Sequence, residues 1–164
     1  MSKMKSSVIF IRHGESLGNV DSRYYQYSDS AVILSQKGVD QALELKRTIR
    51  EHLDPDHYGI HTQVITSHMT RAKLTAEIVM AGINLKLPVL HDARLNEVYH
   101  SSHLVVNEDA SEVRARVRSL IEQYPFNLVL FCHGMLMGCI DPAKGGAQNC
   151  EVRKYDRNLL LQQL

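Results

Sequence analysis

The stretch "VIFIRHGES", residues 8–16, is an apolar run that ends in an arginine and a histidine side by side. Four strand-forming residues, Val8, Ile9, Phe10 and Ile11, lead without a break into Arg12-His13-Gly14. A short continuous apolar run suits a central strand covered on both faces, so residues 5–11 read as a buried strand. "LVLFCHG", residues 128–134, repeats the pattern: residues 128–132 form a second apolar run, and it stops at His133-Gly134. Two strands with the same ending raise the expectation that both histidines belong to one site.

Working outward from these strands, residues 14–34 are polar and carry tyrosines, which reads as a long loop, a feature often tied to function in a compact domain. Ser35 is placed to cap a helix, with Val39, Ala42, Leu43, Ile49 and Leu53 following the i, i+3, i+4 rhythm and Pro55 just past its end. Residues 63–66 read as a short strand, 70–80 as a helix ending near Gly82, and 87–90 as another short strand. Residues 111–124 form the clearest helix. Val113, Val117, Leu120, Ile121 and Tyr124 make one stripe, Asp109 and Glu112 have capping-box spacing, and Pro125 stops it. Residues 151–155 and 159–163 flank "DRN" and read as a hairpin at the sheet edge. Strands alternating with helices predict a three-layer α/β/α sandwich around a mainly parallel sheet, in one domain over residues 1–164.

Composition narrows the function classes. The 164 residues are 44% hydrophobic and 23% charged, ordinary for a globular chain, and the formal net charge is +1. That balance argues against nucleic-acid and membrane partners and leaves room for a local basic pocket. No stretch is long enough to span a bilayer, and the N-terminal run does not read as a signal peptide. The three cysteines, Cys132, Cys139 and Cys150, form no C-x-x-C pair, so reduced thiols and a cytoplasmic location are expected. Oligomeric state is not legible.

In α/β folds ligands collect at the carboxyl ends of the strands. Arg12-His13, the segment from Ser67 to Arg71, and His133 each follow a predicted strand directly, which places them on one rim. Two histidines and two arginines there make a small cationic pocket, and the rigid guanidinium fork matches phosphate oxygens. A neutral imidazole can act as a covalent nucleophile, and nearby guanidinium charge disfavours the imidazolium. Taken singly, each piece has a blander reading: Arg-His after a strand is a surface turn, and a lone histidine is a core or turn residue. The set of four shifts the balance.

In order along the chain, "RHGES" with Asn19 following, "LSQKGVDQA" (34–42), "SHMTRAKLTAE" (67–77), "RLNE" (94–97), "FCHG" (131–134) and "NCEV" (149–152) resemble the signatures of the histidine phosphatase superfamily, the phosphoglycerate mutase-like family. The resemblance implies a phosphoglycerate mutase-like fold and a histidine acid phosphatase-type hydrolase. It implies that His13 attacks phosphorus and carries the phosphoryl group. Arg12, Arg71, His133 and Asn19 would bind the phosphate oxygens, with Gly14 and Gly134 letting the backbone come close. Glu97 would protonate the leaving oxygen and then activate water. No metal and no organic cofactor is implied, because the arginines and His133 supply the positive charge. Gly38, in the first turn of a helix, has a packing reason or none that is visible.

Other residues are weighed against this set. Glu15 and Glu108 are fallback acids. His68 stands where the family has proline, and either lines the rim or faces water. His100 and His103, at i, i+3, lack the partners a metal site needs. His52, His57, His61 and His91 read as surface residues. Alternation along the strand turns Cys132 into the core, away from His133.

The chain departs from the family pattern between Glu97 and His133. The larger mutases carry a substantial insertion there, and here only residues 98–109 remain once the predicted helix and strand are set aside. A mutase must retain its intermediate and exclude water. A minimal lid therefore points to a phosphatase acting on small phosphomonoesters. A phosphohistidine or phosphoprotein substrate is the alternative, and a mutase-type phosphotransferase or a non-catalytic phosphate-binding module are further ones.

Overall fold

The computed structural model describes residues 6–25, 29–53, 61–98 and 108–164. Five strands run in the order β3-β2-β4-β1-β5: β1 (Ser7–Arg12), β2 (Thr62–Thr66), β3 (Leu90–His91), β4 (Asn127–Cys132) and β5 (Val152–Asp156). All neighbours pair in parallel except β5, which runs antiparallel to β1 at the edge. The helices are α1 (Leu17–Val20), α2 (Gln36–His52), α3 (Thr70–Met80), α4 (Ala110–Gln123), α5 (Gly134–Ile140) and α6 (Arg157–Gln163). This is the expected α/β/α sandwich.

Strand alternation sorts the core into two halves. Val8, Phe10, Leu128, Leu130 and Cys132 face a cluster completed by Val113, Val117, Leu120, Leu136 and Leu160, from α4, α5 and α6. Ile9, Ile11, Val129 and Phe131 face the other side, against Ala42, Leu45, Ile49, Ala76 and Val79 from α2 and α3. Successive side chains of β1 and β4 therefore pack on opposite helical layers, which is why both runs are apolar without interruption. Cys132 lies in the core as expected, and Cys132, Cys139 and Cys150 are all free cysteines.

The capping signals hold: Ser35 accepts from the Gly38 amide, and Asp109 with Glu112 closes a capping box on α4. Three expectations need correction. The stripe of α2 is Gly38, Ala42, Leu45 and Ile49, while Leu43 is exposed on the far side. Residues 14–34 are not all loop: Ser16 caps α1, and a 3-10 turn spans Asp29–Ala31. The edge hairpin is absent. β5 is followed by α6, because the Asp156 carboxylate accepts from the amides of Asn158 and Leu159 and starts a helix where a turn was expected.

Candidate functional site

β1 and β4 are adjacent and in register, Arg12 opposite Cys132, so the residues that follow them emerge side by side. The His13 amide donates to the Cys132 carbonyl at 3.1 Å. The rings of His13 and His133 lie 5.1 Å apart between centroids, inclined at 64°. β2 lies on the other side of β4, and the Ser67 amide continues its ladder by donating to Phe131 O. This places the start of α3, and Arg71 with it, beside the two histidines.

Both rings are buried. His13 Nδ1 lies 2.6 Å from Gly14 O, and since a carbonyl only accepts, Nδ1 carries the proton. Nε2 is then the nitrogen with the lone pair, and it has no partner among the described residues. Burial pushes the His13 pKa down to about 3; the bond to Gly14 opposes this, and the charges of Arg71 and Arg12 add to it. His133 is held well below the ordinary imidazole range by burial first, then by His13, Arg71, Arg12 and Arg116. Both rings are therefore neutral at physiological pH.

The arginines are fixed by carbonyls. Arg12 Nη1 donates to Ala147 O at 2.7 Å, and burial lowers its pKa while Glu97 works the other way. Gly134 packs tightly here: a Cβ on it would stand 3.1 Å from Arg12 Nε and from Ala147 O. Arg71, 3% exposed, donates from Nη1 to Asp29 O at 2.8 Å, pairs with the Asp29 carboxylate at 2.9 Å, and lies over the Tyr25 ring at 5.1 Å. Only four buried side-chain polar atoms lack a partner among the described residues, and three belong to this cluster: Arg12 Nε, Arg71 Nε and His133 Nδ1. Buried polar groups are normally satisfied, so three orphans in one cluster point to an anion as the missing partner.

Glu97 reaches the cluster from the segment after β3. Its Oε1 accepts from the amides of Val98 and Leu136 at 2.9 Å, and Oε2 accepts from Met135 at 3.2 Å. The carboxylate is thus tied to the residues immediately after His133-Gly134. Of the fallback acids, Glu15 is bound to Ser35 and Lys37, and Glu108 to Arg116.

Asn19 does not reach His13. Its Oδ1 accepts from the Ser16 amide in the cap of α1, and its Nδ2 donates to the Tyr25 hydroxyl at 3.1 Å, so it meets the cluster only through Tyr25 and Arg71. Gly14 has a packing reason to be small: a Cβ there would come 2.5 Å from Gly38 O, a contact between backbones. His68 is exposed, and His100 and His103 lie outside the described residues. Among the described residues no group of three His, Cys, Asp or Glu side chains is placed to hold a metal, and no helix is long and apolar enough to cross a membrane.

Four contributors to the cluster were given no role from the sequence. Ser67 Oγ lies 2.8 Å from His133 Nε2. Thr75 Oγ1 accepts from the Gly14 amide and donates to Arg71 O. Asn149 Nδ2 donates to His13 O, and Asp29 occupies Arg71. Thr75 lies one helical turn beyond Arg71 on α3, a spacing that could have drawn attention to it, and Ser67 opens the segment expected on the rim; Asp29 carries no such signal.

Known proteins resemble this chain in sequence and in fold. A family model described as "Histidine phosphatase superfamily (branch 1)" matches residues 8–104, more than half of the chain. A 2,3-bisphosphoglycerate-dependent phosphoglycerate mutase of Lactobacillus johnsonii is 31% identical over 112 residues, covering 68% of this chain and 47% of the relative. The chain thus spans about half the length of that curated relative. Mycobacterial glucosyl-3-phosphoglycerate phosphatase, solved with VO3, superposes with a TM-score of 0.70 at 20% identity, covering 91% of this chain and 90% of that one. A phosphoglycerate mutase of Bacillus anthracis gives 0.66 at 17%, covering 93% and 88%. The two solved structures speak to the fold, and the family match reaches the chain itself: with His13, Arg12 and Arg71 inside the matched span, this protein belongs to branch 1 of the histidine phosphatase superfamily.

Proposed function

We propose that the protein is a phosphatase that hydrolyses phosphomonoesters through a phosphohistidine on His13. One observation carries this reading. His13 is neutral and its Nδ1 is locked on Gly14 O, so its Nε2 lone pair is free, in a cluster whose orphaned polar atoms belong to two guanidinium groups and a second imidazole. Nε2 attacks phosphorus and the bond from phosphorus to the ester oxygen breaks. Arg12, Arg71 and His133 stabilise the charge spread over the phosphoryl oxygens, which is most of what such a transfer needs. Glu97 gives the leaving oxygen a proton from Oε2, the oxygen with the single, longer amide contact. Glu97 then takes a proton from water as that water attacks phosphorus, the N–P bond breaks, and inorganic phosphate departs.

Hydrolysis is favoured over transfer by the brevity of the segment between Glu97 and His133. α4 and β4 take 14 and 6 residues of it, leaving little chain to enclose an intermediate. The test uses purified protein and a panel of phosphomonoesters and phosphopeptides. His13→Ala is expected to abolish turnover and the acid-labile phospho-enzyme; retained turnover in that variant refutes the mechanism. Glu97→Gln is expected to slow alkyl esters at least tenfold more than nitrophenyl phosphate, whose leaving group needs no proton, given the ~10²–10⁴-fold worth of general acid catalysis. Equal losses on both would remove Glu97 from the role.

A further inference from the structure

The two histidines are anchored through different nitrogens, and the anchor of His133 decides what it offers to a ligand. Ser67 is fully buried, and its Oγ has two neighbours: the Met69 amide, which donates to it at 3.2 Å, and His133 Nε2 at 2.8 Å. An amide N–H only donates, so it uses one acceptor position of Oγ and leaves the hydroxyl proton to be placed. Among the described residues no other acceptor stands within reach of that proton. The alternatives can be counted. If Nε2 carried the ring proton and gave it to Ser67, the hydroxyl proton would have no acceptor, and Nδ1 would be a buried lone pair without a donor. If Ser67 gives its proton to Nε2, the hydroxyl is satisfied, and one buried N–H, on Nδ1, is left over. The second arrangement leaves one unmet group in place of two, and each unmet buried group is a net cost to the fold.

We infer that Ser67 is a positioning residue that fixes His133 as the neutral tautomer protonated on Nδ1, so that this ring presents an N–H donor to a phosphate oxygen. The second half rests on the proposed function; the tautomer itself does not. Neutral His133 with its proton on Nε2 would turn a lone pair towards the cluster, and an anion would be repelled there instead of bound. The low pKa of His133 is consistent, because it removes the imidazolium, for which the distinction would vanish.

The decisive measurement is a long-range ¹H–¹⁵N spectrum of the wild-type protein labelled on histidine nitrogen, at pH 7.5 and without ligand. Protonated and unprotonated ring nitrogens are resolved by their ¹⁵N shifts, and His133→Asn identifies the signals. An unprotonated Nε2 with a protonated Nδ1 is expected. A protonated Nε2 overturns the assignment, whatever any variant does. Ser67→Ala is then expected to mix the two tautomers and to weaken binding of inorganic phosphate about tenfold, the lower end of what loss of an orienting partner costs at ligand sites. Ser67→Thr, which keeps the hydroxyl, is expected to restore both readouts. Undiminished phosphate binding in Ser67→Ala despite a mixed tautomer refutes the link from tautomer to anion. Wild-type protein that binds no phosphate at millimolar concentration overturns the reading of the pocket, while the shift pattern still decides the tautomer.

Discussion

Lowering the pH from about 7.5 to 5 should destabilise the fold through its two central histidines, and the size of the effect follows from their burial. His13 has a folded pKa of about 3 against an ordinary 6.5. Below 6.5 the unfolded chain takes up a proton on this ring and the folded protein does not, so the stability present at neutral pH is lost progressively as the pH falls from 6.5 towards 3. pH 5 lies about 1.5 pH units into that window, and each unit is worth about 1.4 kcal/mol, so His13 alone removes about 2 kcal/mol. His133 shifts in the same direction and adds to the loss. The groups facing the pair do not reverse the sign: Arg12, Arg71 and Arg116 all oppose protonation, and Glu97 is held on the amides of α5. The ion-paired carboxylate of Asp92, held below its ordinary 3.8, loses its contribution only at lower pH; His91, lowered by partial burial, adds to the loss in the same direction, so the window above 5 belongs to the histidines. Urea unfolding followed by circular dichroism at both pH values reads the difference, and His13→Asn should lose a large part of it. Inorganic phosphate should protect most at the acid end, since an anion in the cluster offsets the protonated ring. An unchanged unfolding midpoint between the two pH values, in the absence of phosphate, would refute the claim that these rings are buried and neutral.

Two further outcomes test the surroundings of the site. Gly38→Ala, which in an ordinary helix would stabilise by up to about 1 kcal/mol, should here destabilise by about 2 kcal/mol, because the new Cβ would stand 2.8 Å from Glu15 C and closer still to its oxygen; a thermal melt should show the midpoint falling by roughly 4–8 °C. Asp29→Asn should strengthen inhibition by inorganic phosphate several-fold. It removes a carboxylate from Arg71 Nη1 while the bond to Asp29 O persists, and the effect is limited by the half-exposed position of that carboxylate.

The fold was legible where burial is two-sided and caps are explicit. β1 and β4 declare themselves as apolar runs, and α4 by a capping box with a clean stripe. α5 was not legible. "GMLMGCI" is short, apolar all round and carries two glycines, so it has no period to read. α6 was misread because "LLLQQL" suits a strand as well as a helix in isolation. The deciding interaction is the Asp156 carboxylate on two amides, which becomes visible only once the backbone turns. On α2, Leu43 and Leu45 are both compatible with the apolar rhythm, and the packing of Ala42, Leu45 and Ile49 on the sheet, with Gly38 tight against Glu15, buries Leu45 and leaves Leu43 exposed. The site divides in the same way. Arg12, His13, Arg71 and His133 sit at strand ends or a helix start, so topology alone brings them to one rim. Ser67 also follows a strand, but its contact with His133, like the contacts of Asp29 and Asn149, joins segments remote in sequence, and no local pattern encodes it.

The repeated ending of β1 and β4 suggests two equivalent histidines, and the hydrogen bonds make them inequivalent. Each is neutral, each follows a strand, and each precedes a glycine. On the assignment inferred above, each also carries its proton on Nδ1. The difference lies in which nitrogen the protein has already engaged. Gly14 O takes the N–H of His13 and leaves its lone pair on Nε2. Ser67 occupies the lone pair of His133 and leaves its N–H on Nδ1. Under the proposed function, one ring would present electrons to phosphorus and the other a proton to oxygen, from the same tautomer. The carbonyl beside His13 is backbone and comes with the strand-to-loop turn, whereas the hydroxyl beside His133 depends on one side chain. A substitution at Ser67 should then leave the nucleophile formed and its stabilising partner undefined. The expected signature is slow formation of the phospho-enzyme, with no loss of its site at His13.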